Sequence, residues 1–511
     1  MSITLVERAA GHAQQVAVID AAGEYTYDDL LSASETVART LLAGRADLGE
    51  SRIAFMVAPG FDYVAVLWGI WRAGGIAVPL CPSHPVPELE YVLDDTSAEA
   101  IVSDMAGETR LKPLATARDV WFVRTTEAIE GGDEGSPLPS HSSFLDIGEA
   151  RRAMILYTSG TTSRPKGVVT THGNLRAQIE GLVEAWAWTA EDQILHVLPL
   201  HHTHGIVNAL LCALWAGATC EMLPGFDSRR VWERFVEGGP TLFMGVPTMY
   251  AKLIAEWESA GPEERAKMSE ACRALRLMVS GSAALPVSVF DRWREITGHT
   301  LLERYGMTEI GMALSNPLEG ERRAGTVGRP LPGVEVSLRD ENEVEVTGDG
   351  VHGEIHVRGP GVFLEYWGRP EATRSAFRDD WFCTGDVAIV EDGYYRILGR
   401  SSVDIIKTGG YKVSALEIEE ALREHPNVED CAVVGVDDPE WGERVSAAIV
   451  TSEDAATPES LREWLSERIA PYKVPRRWMF VDELPRNAMG KVTKPAVKEM
   501  FDSQSQVGDG R

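Results

Sequence analysis

The chain has 511 residues, of which 44% are hydrophobic and 25% are charged. This composition is typical of a globular protein and excludes a disordered, collagen-like or disulfide-scaffold chain. With 49 basic and 77 acidic residues, the formal net charge is −28, which disfavours nonspecific binding to nucleic acid or anionic membranes. At roughly 150 residues per domain, the length predicts about three folding units.

The six cysteines are spread along the chain without a CxxC pair, so their spacing favours neither a zinc site nor a disulfide framework. We interpret them as buried thiols in a reducing compartment. The opening segment MSITLVERAAGHAQQ has no apolar core of signal-peptide length and is not rich in arginine, and no run of about 18 apolar residues follows. We therefore expect a cytoplasmic protein that does not insert into a membrane.

Up to about residue 400, short apolar strands alternate with amphipathic helical stretches, which predicts an α/β fold with helices covering the sheets. Residues 67–79 and 211–224 both read as an apolar helix, a glycine stop and a short strand ending at proline. This echo favours two similar α/β subdomains. The alternative remains open, because helix–glycine–strand units occur in any α/β protein.

The C-terminal part has a different pattern of elements. Residues 383–399 read as a hairpin in which DVAIV and YYRIL flank the turn signal EDG. From Ser401 onward the predicted helices and strands are shorter, starting with a helix whose capping box is Ser414 and Glu417. We therefore predict a domain boundary between residues 1–400 and 401–511.

The strongest local motif is YTSGTTSRPKG at 157–167. Its glycines let backbone amides approach an oxyanion, its hydroxyls add donors and Lys166 adds a positive charge, so the loop suits a polyphosphate. It differs from a Walker loop, in which Gly-Lys-Ser/Thr opens a helix, because Pro165 precedes the lysine and Gly167 follows it. The alternative is a flexible polar surface loop.

This string resembles the phosphate-loop signature of the adenylate-forming superfamily, which comprises acyl-CoA synthetases, peptide-synthetase adenylation domains and firefly luciferases. Further matching segments follow in order, namely PLHHTHG at 199–205, VSGSAALP at 279–286, ERYGMTE at 303–309, WFCTGD at 381–386, ILGR at 397–400, IIKTGGYKVSALEIE at 405–419 and PRNAMGK at 485–491. The resemblance implies an AMP-binding domain of two similar α/β subdomains plus a β-barrel-like subdomain, followed by a small mobile α+β domain. It also implies ATP, Mg²⁺ and coenzyme A as small-molecule ligands.

The resemblance assigns roles that the residue types suit. Tyr305 would stack on adenine, Asp386 and Arg400 would contact the ribose, and Glu309 with Thr162 would hold Mg²⁺, which prefers oxygen ligands. Singly, Tyr305 could be a core residue, Asp386 a turn cap and Arg400 a surface cation. The implied nucleotide contacts are Thr158, Ser159, Gly160, Thr161, Thr162, Lys166, Gly281, Ser282, Ala283, Tyr305, Gly306, Met307, Thr308, Asp386 and Arg400.

The resemblance also implies residues for the two half-reactions. Lys491 is similar to the adenylation lysine, whose ammonium would stabilise negative charge on the α-phosphate. His202 matches the residue that closes the acyl pocket; a metal cluster with His201 and His204 is the alternative, but no carboxylate or cysteine lies nearby in sequence.

In the family, the small domain rotates after adenylation and brings a second loop to the site. The residues that match this loop are Lys407, Gly409, Gly410 and Tyr411. Ser402 stands where many relatives have Asp or Lys, and the spacing to the glycines is one residue longer, so the hinge residue stays open.

Arg304 directly precedes Tyr305, at a position that is small or uncharged in relatives that activate fatty or aryl acids. An arginine there could bind a second carboxylate in a bidentate way, which favours a dicarboxylate substrate; an outward-turned Arg304, or one paired with Glu303, is the alternative. The motifs are similar to those of malonyl-CoA synthetases. This resemblance implies that Ser282 and a second basic residue, here Lys252, would help to bind the second carboxylate of the substrate.

The sequence therefore predicts an AMP-forming malonate–CoA ligase, with methylmalonate as a second acid that this branch often activates, and a monomer or homodimer with no nucleic-acid partner. The first alternative is a ligase for a medium-chain, aryl or other acid. The second is a nucleotide- and acyl-binding module without turnover, which the presence of Lys491, Glu309 and Lys166 disfavours.

Overall fold

The computed structural model describes residues 3–131, 147–158, 165–409, 411–438, 441–451, 456–486 and 491–508. The strands are β1 Val16–Asp20, β2 Gly23–Thr26, β3 Arg52–Met56, β4 Ile76–Pro79, β5 Ala100–Ser103, β6 Trp121–Arg124, β7 Arg152–Thr158, β8 Lys166–Thr171, β9 Gln193–His196, β10 Thr219–Met222, β11 Leu242–Gly245, β12 Leu277–Ser280, β13 Leu302–Met307, β14 Gly311–Ser315, β15 Arg329–Pro330, β16 Glu335–Arg339, β17 His352–Arg358, β18 Glu365–Tyr366, β19 Phe377–Arg378, β20 Trp381–Glu391, β21 Tyr394–Arg400, β22 Ile405–Thr408, β23 Tyr411–Ser414, β24 Val428–Asp438, β25 Gly442–Thr451 and β26 Arg477–Phe480.

The helices are α1 Thr4–Ala10, α2 Tyr27–Leu42, α3 Phe61–Arg72, α4 Val86–Thr96, α5 Met105–Ala117, α6 Thr125–Glu130, α7 His172–Ala185, α8 Cys212–Ala216, α9 Ser228–Glu237, α10 Pro247–Ser259, α11 Pro262–Cys272, α12 Val287–Thr297, α13 Pro370–Ser375, α14 Ala415–Arg423, α15 Pro458–Ser466 and α16 Lys494–Gly508. A π-helix, His204–Leu211, leads directly into α8, and a 3₁₀ turn spans Pro471–Lys473. Within the described residues, no helix is both long and apolar enough to cross a bilayer.

Two large sheets form most of the molecule, which confirms the predicted α/β fold. One has seven strands in the order β18-β8-β7-β4-β3-β5-β6, and the other has nine in the order β15-β14-β13-β12-β11-β9-β10-β1-β2. The two similar segments of the sequence correspond to the end of α3 followed by β4, a strand of the first sheet, and to α8 followed by β10, a strand of the second sheet. Gly74 and Gly217 end the two helices with φ of +79° and +78°, a conformation that costs glycine little.

A single hydrophobic cluster joins the two sheets through helices α2, α3, α7 and α8. Helix α3 is apolar around nearly its whole circumference, and Trp68 and Trp71 are fully buried on it. A helix with this pattern must be covered on all sides. It therefore packs between the two sheets, which holds their carboxyl edges in a fixed relation.

Where the resemblance implied a β-barrel-like subdomain, the structure has a five-stranded antiparallel sheet in the order β16-β17-β20-β19, with β21 paired to β20. The predicted hairpin joins β20 to β21 through Asp392 and Gly393, which have φ of +52° and +78°, as a tight hairpin turn requires. Strand β20 carries a bulge, since His356 pairs with Cys383 whereas Glu354 pairs with Val387.

The C-terminal residues form a separate sheet in the order β23-β22-β25-β24, with β26 paired to β25. Its hydrophobic clusters include residues of α14, α15 and α16. Lys494, at the start of α16, forms ion pairs with Asp404 (2.5 Å) and with Glu419 (2.8 Å). Among the described strands, none pairs this sheet with the other three.

Candidate active site

The predicted residues converge at the carboxyl edge of the nine-stranded sheet. Strands β9, β11, β12 and β13 are mutually parallel neighbours, so the loops that follow them leave the sheet at the same edge, where ligands of α/β proteins usually bind. Strand β13 extends beyond β12 and pairs its Arg304–Met307 segment with β14 instead. The predicted motif ERYGMTE therefore projects past the sheet.

Tyr305, Asp386 and Arg400 form one hydrogen-bonded chain. The Tyr305 hydroxyl donates to Asp386 Oδ2 at 2.5 Å, and Arg400 Nε donates to Asp386 Oδ1 at 3.0 Å. Burial, together with the Asp386 carboxylate, holds the pKa of Tyr305 well above its usual range. The bulge in β20 places residues 384–386 opposite Ile355, and such a bulge re-aims side chains. The structure thus groups the predicted adenine and ribose contacts.

Lys166 and Glu309 meet around Tyr366, a residue that sequence reasoning missed. The Tyr366 hydroxyl donates to Glu309 Oε1 at 2.9 Å, and Lys166 Nζ lies 4.9 Å from the centre of the Tyr366 ring. Burial raises the pKa of Glu309, as expected for a carboxylate held away from water. Thr308, next to Glu309, is half-buried.

The rest of the predicted phosphate loop is only partly described. Thr158 is the last residue of β7 and is half-buried. The contacts predicted within 159–164 lie outside the described residues, namely Ser159, Gly160, Thr161 and Thr162. The loop ends where Lys166 opens β8 and pairs with Thr158. Strands β7 and β8 therefore bring both ends of the loop together.

Arg304 is buried, with 3% of its surface exposed. Its Nε and Nη2 have no hydrogen-bond partner among the described atoms. Its neighbour Glu303 faces the opposite side of the strand and accepts a hydrogen bond from the Leu285 amide at 2.8 Å. Arg304 is thus neither turned outward nor hydrogen-bonded to Glu303 through these two groups. Burial lowers the pKa of Arg304 to about 9 and raises that of Glu303 to about 8.

The guanidinium packs against the start of the VSGSAALP segment. A Cβ atom added to Gly281 would lie 2.5 Å from Arg304 Cζ, so any larger residue there would displace the guanidinium. The next residue, Ser282, has φ of +69°, a strained conformation for a residue with a side chain. Its Oγ lies 3.2 Å from His204 Nδ1. Ala283 is exposed, whereas Gly306 and Met307 are half-buried at the end of β13.

The π-helix contributes polar groups that the sequence analysis did not select. His204 lies close enough for the Arg304 charge to act on it, and burial is the main cause of its strongly lowered pKa. His204 Nε2 and both side-chain polar atoms of Asn208 lack hydrogen-bond partners within the described structure, as does Ser280 Oγ. A π-helix often marks a functional site, but its presence could not be read from the sequence.

His202 lies between the acyl side and the C-terminal domain. Burial, with the charges of His201, Lys491 and His84, lowers the pKa of His202 to about 3, so its ring is neutral. The rings of His201 and His202 are 4.3 Å apart. Beside them, hydrogen bonds with His201 and His84 outweigh burial and lower the pKa of the Cys81 thiol to about 5. No sequence pattern predicted this cysteine–histidine group.

Lys491 faces the site although it belongs to the C-terminal sheet region. Its side chain keeps contact with solvent, yet the surrounding protein and the charges of Arg304 and Arg400 lower its pKa. These charges act over short range, so Lys491 stands near both the predicted ribose contact and the acyl pocket. The Asp386 carboxylate also acts on the Lys491 ammonium, so both groups lie on the same side of the cleft.

Four predicted residues are not brought to this cleft. Lys407, Gly409 and Tyr411 are exposed at the β22–β23 hairpin, and Tyr411 stacks on Tyr472 with ring centres 4.4 Å apart; Gly410 lies outside the described residues. Lys252 is exposed on α10, whereas Arg304 is buried. Its role stays a prediction.

Known proteins resemble the chain over its full length. It is 46% identical to the mitochondrial malonate–CoA ligase ACSF3 of Mus musculus, covering 100% of this chain and 93% of that protein. It is 45% identical to the Homo sapiens protein of the same name, covering 98% and 92%. The crystal structure of ATP-bound MatB from Rhodopseudomonas palustris superposes with a TM-score of 0.88 at 34% identity, covering 98% and 99%.

These relatives correct one expectation from the sequence. Both animal proteins are named as mitochondrial, which contradicts the expected cytoplasmic location. The expectation rested on cysteines without a disulfide pattern, and the described cysteines are indeed free thiols. Free thiols argue against an oxidising compartment, but they do not distinguish one reducing compartment from another.

The domain comparison agrees with the order of motifs and with the fold. The family described as AMP-binding enzyme matches residues 5–367. The family described as AMP-binding enzyme C-terminal domain matches residues 417–491. The first match alone spans well over half of the chain and contains the predicted phosphate loop, Arg304, Tyr305 and Glu309. The chain belongs to the AMP-binding enzyme family.

Proposed function

We propose that the protein is a malonate–CoA ligase that converts malonate, ATP and coenzyme A to malonyl-CoA, AMP and diphosphate. The observation that carries the proposal is the buried Arg304, whose Nε and Nη2 have no hydrogen-bond partner in the described part of the chain. An unpaired buried charge is strongly unfavourable, whereas a carboxylate can accept from a guanidinium in a bidentate way. An acid with a second carboxylate fits this requirement, and a fatty or aryl acid does not.

In the first half-reaction, one carboxylate oxygen of malonate attacks the α-phosphorus of ATP and diphosphate leaves. Arg304 holds the other carboxylate, with Ser282, His204 and Asn208 as polar neighbours. Lys491 stabilises the negative charge that develops on the phosphate oxygens. The neutral ring of His202 closes the acyl side without adding a charge.

Mg²⁺ belongs to this proposal as the ion bound to the triphosphate. Glu309 and Thr162 are the residues that would hold it, and the buried Glu309 carboxylate beside Lys166 is the hard oxygen ligand that the ion prefers. The ion would supply charge neutralisation of the phosphates. Lys166 binds the same phosphates by its own charge.

In the second half-reaction, the coenzyme A thiol attacks the acyl carbonyl and AMP leaves. We place a domain boundary between residues 1–400 and 401–511, about which the C-terminal part rotates between the two steps. Lys407, Gly409 and Tyr411 lie at the exposed β22–β23 hairpin, whereas Lys491 lies close enough to Arg304 and Arg400 for their charges to act on it, and this difference supports the exchange. Gly410 completes the loop that would then line the thioester site.

The test is ATP-dependent diphosphate release measured with malonate, methylmalonate, succinate, acetate, octanoate and benzoate, with and without coenzyme A. We expect release to be selective for malonate, with malonyl-CoA formed only when coenzyme A is present. Preference for a monocarboxylic acid would refute the role of Arg304. Binding of ATP without release for any of the six acids would favour a module without turnover. Omitting Mg²⁺ should abolish release with every acid.

A further inference from the structure

A group of metal-ligand side chains lies on the antiparallel sheet, next to the bulge of β20 that carries Asp386. Glu354, His356 and Cys383 each offer a ligand atom, and these atoms lie within 4.8 Å of one another. Glu354 and His356 are two residues apart on β17, which places both on one face of the strand. Cys383 pairs directly with His356 across β20. The sheet register thus assembles three ligands that are distant in sequence.

A fourth ligand comes from the turn that follows β16. Glu343 Oε2 is 3.8 Å from His356 Nε2, the same distance that separates this nitrogen from Glu354 Oε1. On the other side of the ring, His356 Nδ1 is 3.9 Å from Cys383 Sγ. Glu343 is therefore available either as a ligand or as the carboxylate that orients a metal-bound imidazole, a common partner of such rings.

We propose that Glu354, His356 and Cys383, with Glu343, form a site for a thiophilic divalent cation of the Zn²⁺ class. A thiolate, an imidazole and carboxylates together match this ion and do not match Mg²⁺. Bonds of about 2.3 Å to sulfur and about 2.0 Å to nitrogen at a tetrahedral angle need a separation near 3.5 Å. The observed 3.9 Å between Sγ and Nδ1 is close to this value, whereas Glu354, whose Oε1 lies 3.8 Å from the opposite nitrogen Nε2, must swing its carboxylate around the ring to reach the same ion.

The charges around the site permit a dication. Arg339 and Arg378 are the nearby cations: both act on His356, and Arg378 Nε lies 3.4 Å from Glu343 Oε1. The two glutamates balance these two arginines before binding. On binding, the Cys383 thiol loses its proton to solvent as the metal–sulfur bond forms, so the site gains one net positive charge rather than two.

The site is connected to the nucleotide side of the cleft by one hydrogen bond. The Gly385 amide donates to Glu354 Oε1 at 3.1 Å, and Asp386 follows in the same bulge. Cys383 lies on the other side of this bulge. A metal that draws Glu354 toward Cys383 would act on the backbone that positions Asp386.

The experiment is a titration of the metal-free full-length protein with Co²⁺ in the absence of nucleotide, followed by displacement with Zn²⁺. We expect one equivalent to bind with a thiolate-to-cobalt charge-transfer band in the near ultraviolet. Cys383→Ser should remove this band, and His356→Asn should weaken binding by roughly 10–100-fold. The matched control is Cys431→Ser, whose thiol donates a hydrogen bond to the Glu419 carbonyl of α14 in the C-terminal domain, and which should keep the band.

Two results would overturn the proposal: no thiolate band in the wild type, or a band that persists in Cys383→Ser. Alkylation of the wild-type thiol provides a second measurement if a variant fails to fold. Zn²⁺ should slow the modification of Cys383, identified by peptide mass, and leave the modification of Cys81 unchanged. Equal rates at Cys383 with and without Zn²⁺ would refute the site.

Discussion

The interpretation of Arg304 makes a quantitative prediction for Arg304→Met, which keeps an unbranched side chain but removes the guanidinium. Two groups of Arg304, Nε and Nη2, have no hydrogen-bond partner among the described atoms. Hydrogen bonds to charged groups contribute about 1.5–3 kcal/mol each, so their loss costs about 3–6 kcal/mol. At about 1.4 kcal/mol per tenfold, kcat/KM for malonate should fall by roughly 10²–10⁴-fold.

The same change should have the opposite effect on stability. The guanidinium is buried without partners for these two groups, and an uncompensated buried charge destabilises the folded state. Arg304→Met should therefore raise the thermal midpoint of the ligand-free protein while it lowers activity, the trade-off expected of a functional site. Added malonate should raise the midpoint of the wild type and not that of the variant.

The assay is diphosphate release with malonate and with acetate, read together with thermal unfolding. Arg304→Lys should fall between the wild type and Arg304→Met, because lysine keeps the charge but loses the planar fork. Arg273→Met is the control, since Arg273 is exposed on the surface and pairs only with Glu270. Unchanged malonate kinetics in Arg304→Met, or equal losses with malonate and acetate, would refute the reasoning.

Three further predictions concern other residues. Lys491→Ala should lose diphosphate release by two or more orders of magnitude but still convert supplied malonyl-AMP to malonyl-CoA; equal loss of both steps would contradict domain rotation. The pKa of Glu303 is raised to about 8, so the free energy of unfolding should fall by up to about 1.4 kcal/mol per pH unit as the pH rises from about 4.5 to 8. The thermal midpoint of Glu303→Gln should therefore rise relative to that of the wild type over this range. A constant difference between the two midpoints would refute the raised pKa. Burial lowers the pKa of His196 to about 4, so the contribution of its neutral ring to the stability of the folded state is lost as pH falls below about 6.5. The thermal midpoint of His196→Gln, measured between pH 4 and 7, should therefore depend less on pH than that of the wild type.

Sequence motifs predicted most of the nucleotide side of the site. Tyr305, Asp386 and Arg400 are spread over almost a hundred residues, yet they form one hydrogen-bonded chain. Each sits in a motif with its own local signal, such as a glycine before Asp386 or Arg400. The order of these motifs along the chain predicted their convergence, because the fold that joins them is shared by the family.

Other functional groups depend on packing and register, which local patterns do not reveal. Tyr366 reaches Glu309 only because β18 pairs with β8. Asn208 is polar in an otherwise apolar stretch, but its orientation follows from the π-helix. The cysteine spacing argued against a zinc site, whereas the register of β17 and β20 brings Cys383 to His356. Contacts between strands can thus create a site without a sequence motif.

The two sides of the cleft differ in how their polar groups are paired, and this difference fits the roles that we propose for them. On the nucleotide side, Tyr305 and Arg400 both bind Asp386, so these side chains are preorganised by one another before ATP arrives. On the proposed acyl side, Arg304 and Asn208 are buried with polar atoms that have no hydrogen-bond partner among the described residues. Unpaired buried groups discriminate strongly against a ligand that leaves them unpaired. Selectivity for the acid should therefore be high, and it should depend on Arg304 more than on the size of the pocket.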